Sequence, residues 1–168
     1  MDDLRIWSLG EWVHALARRD PVPAGGALAL ATLAGASALA AKAARLSGRP
    51  PEPWEERAAH LLAEAARDGW LYAEAVRGGA GAVHASLEAT LGALGEAVTL
   101  LEELAPLFRG LGPALAADAA AAERLARAGA QTLSLNLAAN LAAWAGRSPG
   151  LDPLARRWSE LRARLEEA

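Results

Sequence analysis

Residues 21–47 read PVPAGGALALATLAGASALAAKAARLS. Beyond the prolines and the glycine pair, the stretch is almost entirely alanine, leucine and glycine, a composition that predicts one long helix from about Gly26 to Ser47. Its side chains are too small to make a strongly apolar lipid surface, and they suit close helix packing, so the segment reads as the buried central helix of a bundle rather than a membrane span. Gly48-Arg-Pro-Pro ends it, because proline cannot donate to the helical ladder.

Working outward, the same helical signal recurs and no segment reads as a strand. Ser8 followed by Glu11 forms a capping-box pattern, which starts a first helix running from about Leu9 to Arg19, where Pro21 and Pro23 stop it. A third helix begins near Pro53, with Glu55 and Glu56 in its first turn, and ends near Gly78-Gly79. The glycine cluster to Gly81 reads as a hinge-like loop. A fourth helix, from about Val83 to Phe108, carries the face Leu87, Leu91, Leu94, Val98 and Leu101. A fifth runs from Ala114 to about Ala145, and Leu154, Trp158, Leu161 and Leu165 make one stripe on a sixth. The expectation is all-α: a single domain over residues 1–168, folded as a mostly antiparallel bundle of about six helices.

Composition narrows the function. There is no cysteine among the 168 residues, which excludes disulfides, thiolate metal sites and a cysteine nucleophile and points to a reducing cytoplasm. A net charge of -3 makes nucleic acid an unexpected partner. The acidic start, Met1-Asp-Asp-Leu-Arg, lacks the basic region and apolar core of a secretion signal. The six tryptophans are spread over different helices and read as packing anchors.

Three features stand out from this background. The Pro21–Ala27 connector is either a stiff bend or a ligand floor, since Gly25 and Gly26 permit close backbone approach and the next helix offers free N–H groups. The chain's side-chain amides, Gln131, Asn136 and Asn140, fall in one helical segment, and Thr132, Asn136 and Asn140 share a face. Those groups either fix helix register or meet a ligand. Asp118 interrupts an alanine run; it is either a solvated carboxylate or a buried one needing Lys42 or Arg45. His60 with Glu64 and His84 with Glu88 have the four-residue spacing of metal ligands, but such spacing also fits solvated ion pairs, and a di-metal bundle needs more carboxylates.

Together these stretches resemble the formimidoyltetrahydrofolate cyclodeaminases and methenyltetrahydrofolate cyclohydrolases. That family has a Pro-Thr-Pro-Gly-Gly-Gly-Ser turn before a small-residue helix, to which Pro21-Val-Pro-Ala-Gly-Gly-Ala27 is similar. Asp68 and Tyr72 resemble its Asp with an aromatic residue four positions on. Gly112-Pro113 and Ala117-Asp118 resemble its Asn-Pro and Ser-Asp, and Thr132 with Asn136-Leu137 resembles its Asn-x-x-x-Asn-Leu. Where the family has Gly, Ser, Asn, Ser and Asn, this chain has Ala24, Ala27, Gly112, Ala117 and Thr132, a set of changes that removes hydrogen-bonding groups, and Lys42 stands at a position that is apolar in the family.

The resemblance implies an all-helical fold, a tetrahydrofolate derivative as substrate or ligand, no metal, and a homodimer with sites near the subunit interface. The implied reaction is closure of the formimidoyl group to the methenyl form with loss of ammonia, or hydrolytic opening of the methenyl ring. It would make Asp118 the general acid or base and Asn136 the group orienting the pterin or the attacked carbon. Pro23, Gly25, Gly26, Lys42 and Thr132 would contact the folate. The other expectation is a non-catalytic helical homodimer that keeps the fold and a small-ligand pocket.

Overall fold

The computed structural model describes residues 8–18, 24–78, 80–109 and 111–168. Among them are six helices and no strand: α1 (Leu9–Leu16), α2 (Gly25–Leu46), α3 (Glu52–Val76), α4 (Ala80–Phe108), α5 (Ala116–Trp144) and α6 (Asp152–Glu167). A 3-10 turn at Pro113–Leu115 leads into α5. The all-α expectation therefore holds.

Local chemistry explains most boundaries. Ser8 and Glu11 form the reciprocal capping box: the Glu11 N–H donates to Ser8 Oγ at 3.2 Å, and the Ser8 N–H donates to Glu11 Oε2 at 2.6 Å. α1 is shorter than its sequence reading, because the Arg18 N–H tightens onto the Ala15 carbonyl instead of continuing the α ladder. The stop residues Pro21 and Pro23 lie outside the described residues. At the glycine cluster Gly78 takes φ +101°, while Gly81 is already helical, so α4 begins before Val83.

Contacts between helices fix their directions. Gly25 lies under Asn136, Gly129 under Ala29 and Leu33, and Lys42 pairs with Asp118, so α2 and α5 run antiparallel along their lengths. Gly26 beside Asp68 and the Arg45–Glu55 ion pair show the same for α2 and α3. Arg57 to Glu103 and His60 to Glu96 set α3 against α4, again antiparallel. Arg157 to Glu88 and Arg164 to Glu102 lay α6 parallel to α4. Exposed pairs of this kind add little stability individually, but they mark register.

α2 sits between α3 and α5, with α4 packed beneath. Its alanines, including Ala29, Ala36, Ala40 and Ala44, are buried and let the flanking helices approach closely. α4 supplies the bulk of the core through Leu87, Leu91, Leu94, Val98, Leu101 and Leu104, all buried. α2 is long and apolar enough to cross a membrane, yet 61% of its most apolar window is buried against the other helices, as a core helix would be. Trp12, Trp54, Trp144 and Trp158 pack against the core, whereas Trp70 is 53% exposed and anchors nothing. Trp7 lies outside the described residues.

Candidate functional site

α2 begins without a side-chain cap of its own, since Ala24 at its N-cap carries no acceptor. A cap arrives from another helix. Asp68, in the middle of α3, extends its carboxylate over the start of α2 and accepts the Ala27 N–H. Gly26 makes room for it: a Cβ there would lie 2.5 Å from Asp68 Oδ2 and 2.9 Å from Oδ1. Gly25 does the same for α5, where a Cβ would stand 3.3 Å from Asn136 Nδ2 and 3.4 Å from Oδ1. The glycine pair thus places two polar side chains from two helices against one helix N-terminus.

These groups open onto a cleft of about 230 Å³. Ala24, Gly25 and Gly26 form its floor, Asp68 and Tyr72 one wall, Ser86 and Thr90 the back, and Asn136 with Asn140 the opposite wall. Thr90 Oγ1 is committed to the Ser86 carbonyl at 3.0 Å. Among the described residues neither Asn136 nor Asn140 spends its amide on a protein partner, so both are open to a ligand.

Asp68 is the electrostatic centre of the cleft. Burial raises its pKa from 3.8 to about 6, and the nearby Glu64 carboxylate pushes the same way, against the stabilising Ala27 N–H. An acid poised near neutrality can both give and accept a proton at physiological pH. Replacing Gly26 by alanine should evict this carboxylate. The side chain can swing aside, so the fold should survive with a modest loss of melting temperature, while Asp68 should titrate close to an ordinary aspartate. A buried-type midpoint retained in Gly26→Ala would show that the glycine does not position it.

The sequence-derived candidates separate into two groups. Gly25, Gly26 and Asn136 line the cleft. Thr132, one turn before Asn136, donates its hydroxyl to the Ala128 carbonyl at 2.8 Å and does not line the cleft. Pro23 lies outside the described residues. Asp118 and Lys42 pair with each other, Nζ to Oδ2 at 2.6 Å, at the far end of the α2–α5 register. Eighteen residues of helix separate Asp118 from Asn136, about 27 Å at the helical rise. Within one chain, Asp118 and Asn136 do not share a site.

Asp68 and Tyr72 carried the family resemblance but no assigned role, and Ser86 and Thr90 carried no signal. What could have exposed Asp68 is its setting, an acid beside Gly69 on a side of the helix that also carries the buried Leu61, Ala65 and Ala75. The histidine–glutamate pairs dissolve in three dimensions. His60 meets Glu96 at 3.2 Å, Glu64 meets Arg67, and Glu88 meets Arg157. No cluster of three or more His, Asp or Glu residues able to hold a metal occurs among the described residues. A larger groove of about 590 Å³ runs between α5 and α6 past Gln131, Leu135 and Trp158. Its two arginines, Arg127 and Arg162, already face Glu123 and Glu166.

No protein-family model and no curated protein matches this chain. Among solved structures, the crystal structure of formiminotetrahydrofolate cyclodeaminase from Thermotoga maritima matches it with a TM-score of 0.81, at 22% identity, over 97% of this chain and 92% of that one. At such identity the likeness is one of fold: the chain is built on the helical scaffold of that enzyme, over nearly the whole length of both.

Proposed function

We propose that this protein is a folate-dependent one-carbon enzyme of the cyclodeaminase or cyclohydrolase type, with its reacting centre at the N-terminus of α2. The observation that carries this reading is Asp68, a buried acid titrating near neutrality in a cleft whose opposite wall offers two unspent amides. The shared scaffold supports the choice of substrate class.

Ring closure of a formimidoyl group requires attack by the neighbouring amine nitrogen on the amidine carbon, loss of that nitrogen's proton, and delivery of a proton to the departing ammonia. One carboxyl can serve both transfers, accepting a proton from the attacking nitrogen and returning it to the leaving one. Asp68 has the proton affinity for that task. Asn136 and Asn140 would orient the ring through its amide-like edge, and the free N–H groups at the start of α2 would face negative charge developing on the substrate. Asp118, bound to Lys42 about 27 Å along α5 from Asn136, is not given the proton transfer.

A thermal-shift series with methenyltetrahydrofolate and 5-formimidoyltetrahydrofolate, followed by spectroscopic turnover of each, tests the reading. Stabilisation and turnover are expected, with turnover retained in Asp118→Asn. Absence of both would refute the folate assignment, and loss of turnover on changing Asp118 but not Asp68 would refute the assignment of residues. Stabilisation without turnover would point to the non-catalytic helical protein that keeps the pocket, for which the family's hydrogen-bonding serine replaced by Ala27 would be the reason.

A further inference from the structure

Most serine and threonine hydroxyls inside the described helices are spent within the protein. Thr32 donates to the Leu28 carbonyl at 2.8 Å, Thr90 to that of Ser86 at 3.0 Å, Thr132 to that of Ala128 at 2.8 Å and Ser159 to that of Ala155 at 3.0 Å, each reaching back one turn. Ser134 instead accepts the Trp158 indole N–H at 3.1 Å. A hydroxyl so engaged has its donor or an acceptor already committed.

Ser86, on α4, differs. Only its backbone carbonyl is engaged by Thr90; its own hydroxyl bonds to no described residue, although the Ala82 carbonyl stands one turn before it. The residue is 7% exposed, and it lines the cleft at the start of α2. Ser37 is also without a partner, but it is fully buried and does not line the cleft. Burying an unpaired hydroxyl costs stability, a cost that alanine at the same position would avoid.

Ser86 shares the cleft with the two unspent amides, Asn136 and Asn140 on α5. All three side chains are neutral, and each can both donate and accept. Such a set matches the edge of a ring on which N–H donors stand beside carbonyl or imine acceptors, as on the amide and amidine edge of a pterin. At about 230 Å³ the cleft is smaller than the roughly 300–1,000 Å³ that enclose a drug-sized ligand, so it takes a ring and leaves the remainder of a longer molecule outside. We infer that Ser86 is a specificity-determining contact, whose hydroxyl joins Asn136 and Asn140 in reading the polar edge of the bound ring. The inference rests on the reading of the cleft as a folate site, and it adds a contact from α4 and a boundary: the ring is recognised there, and the tail is not.

Titration calorimetry of the full chain with two probes, 5-formyltetrahydrofolate and the tail-less 6-methyltetrahydropterin, tests this. Ser86→Ala should weaken both by about tenfold, the worth of one hydrogen bond, and by the same factor for each. The melting temperature without ligand should stay level or rise, because no bond inside the protein is lost. Ser159→Ala, which removes a hydroxyl committed to its own helix, should leave both affinities unchanged. Unchanged affinity in Ser86→Ala, a weakening confined to the probe with a tail, or a fall in the ligand-free melting temperature would overturn the inference, whatever the turnover. Binding of both probes that depends on Ser86, in a protein that turns over neither methenyltetrahydrofolate nor 5-formimidoyltetrahydrofolate, would uphold the contact and sink the enzymatic reading. Failure of the parent protein to bind either probe would overturn the folate assignment and the inference with it.

Discussion

Asp68→Asn should abolish most turnover and at the same time make the protein more stable at about pH 7, by up to ~3 kcal/mol. The sign follows from linkage. The carboxyl titrates at about 6 in the folded chain, against an ordinary value of 3.8, so between those values the folded protein binds more protons than the unfolded one. Stability therefore falls as pH rises from about 4 through 6, and the full cost is present above that range. Asparagine removes the ionisation but keeps an oxygen that can accept the Ala27 N–H. The gain should shrink towards zero near pH ~4, where the native carboxyl is itself neutral.

Urea unfolding of both proteins across this range checks the expectation. A variant that loses stability at neutral pH, and loses less in acid, would show that the carboxylate is a stabilising ion. Stability gained where activity is lost is the signature expected of a group retained for chemistry.

Gly129→Ala should cost about 2–3 kcal/mol, despite alanine's better helix propensity. A Cβ at this position would lie 2.7 Å from Leu33 Cγ, and it would also lie 3.0 Å from both Leu33 Cδ2 and the Ala29 carbonyl oxygen. The backbone oxygen cannot rotate away, so α5 must retreat from α2. Asn136 is two turns along the same face, which means the retreat also opens its contact with Gly25. Thermal unfolding should register the loss of stability, and ligand affinity should fall with it. A melting temperature unchanged from the parent would show that the two helices are not in the close contact described. Alanine at Gly92, where a Cβ would meet nothing within 4 Å, is the matched control and should be neutral or mildly stabilising.

Much of the architecture was legible in the chain. The small-residue helix, the leucine face of α4 and the Ser8–Glu11 cap are local patterns, and local patterns survive folding when neighbouring elements agree with them. The glycine pair and Asn136 were legible as candidates for a similar reason, because they break the composition around them. Glycine at Gly26 announces that something comes close. It does not say what.

That missing half is where sequence and structure part. The sequence by itself determined an all-helical bundle with a tightly packed central helix, and it marked the start of that helix as a place for close approach. Only the tertiary structure decided which acid arrives there. Asp118 and Asp68 are each the one aspartate in an alanine-rich helix, and spacing along one chain cannot rank them. The antiparallel register of α2 with α5 carries Asp118 to Lys42 at the far end, while the register of α2 with α3 brings Asp68 onto the Ala27 N–H. Burial then raises the proton affinity of Asp68, and burial is a property of the packed helices rather than of the residue.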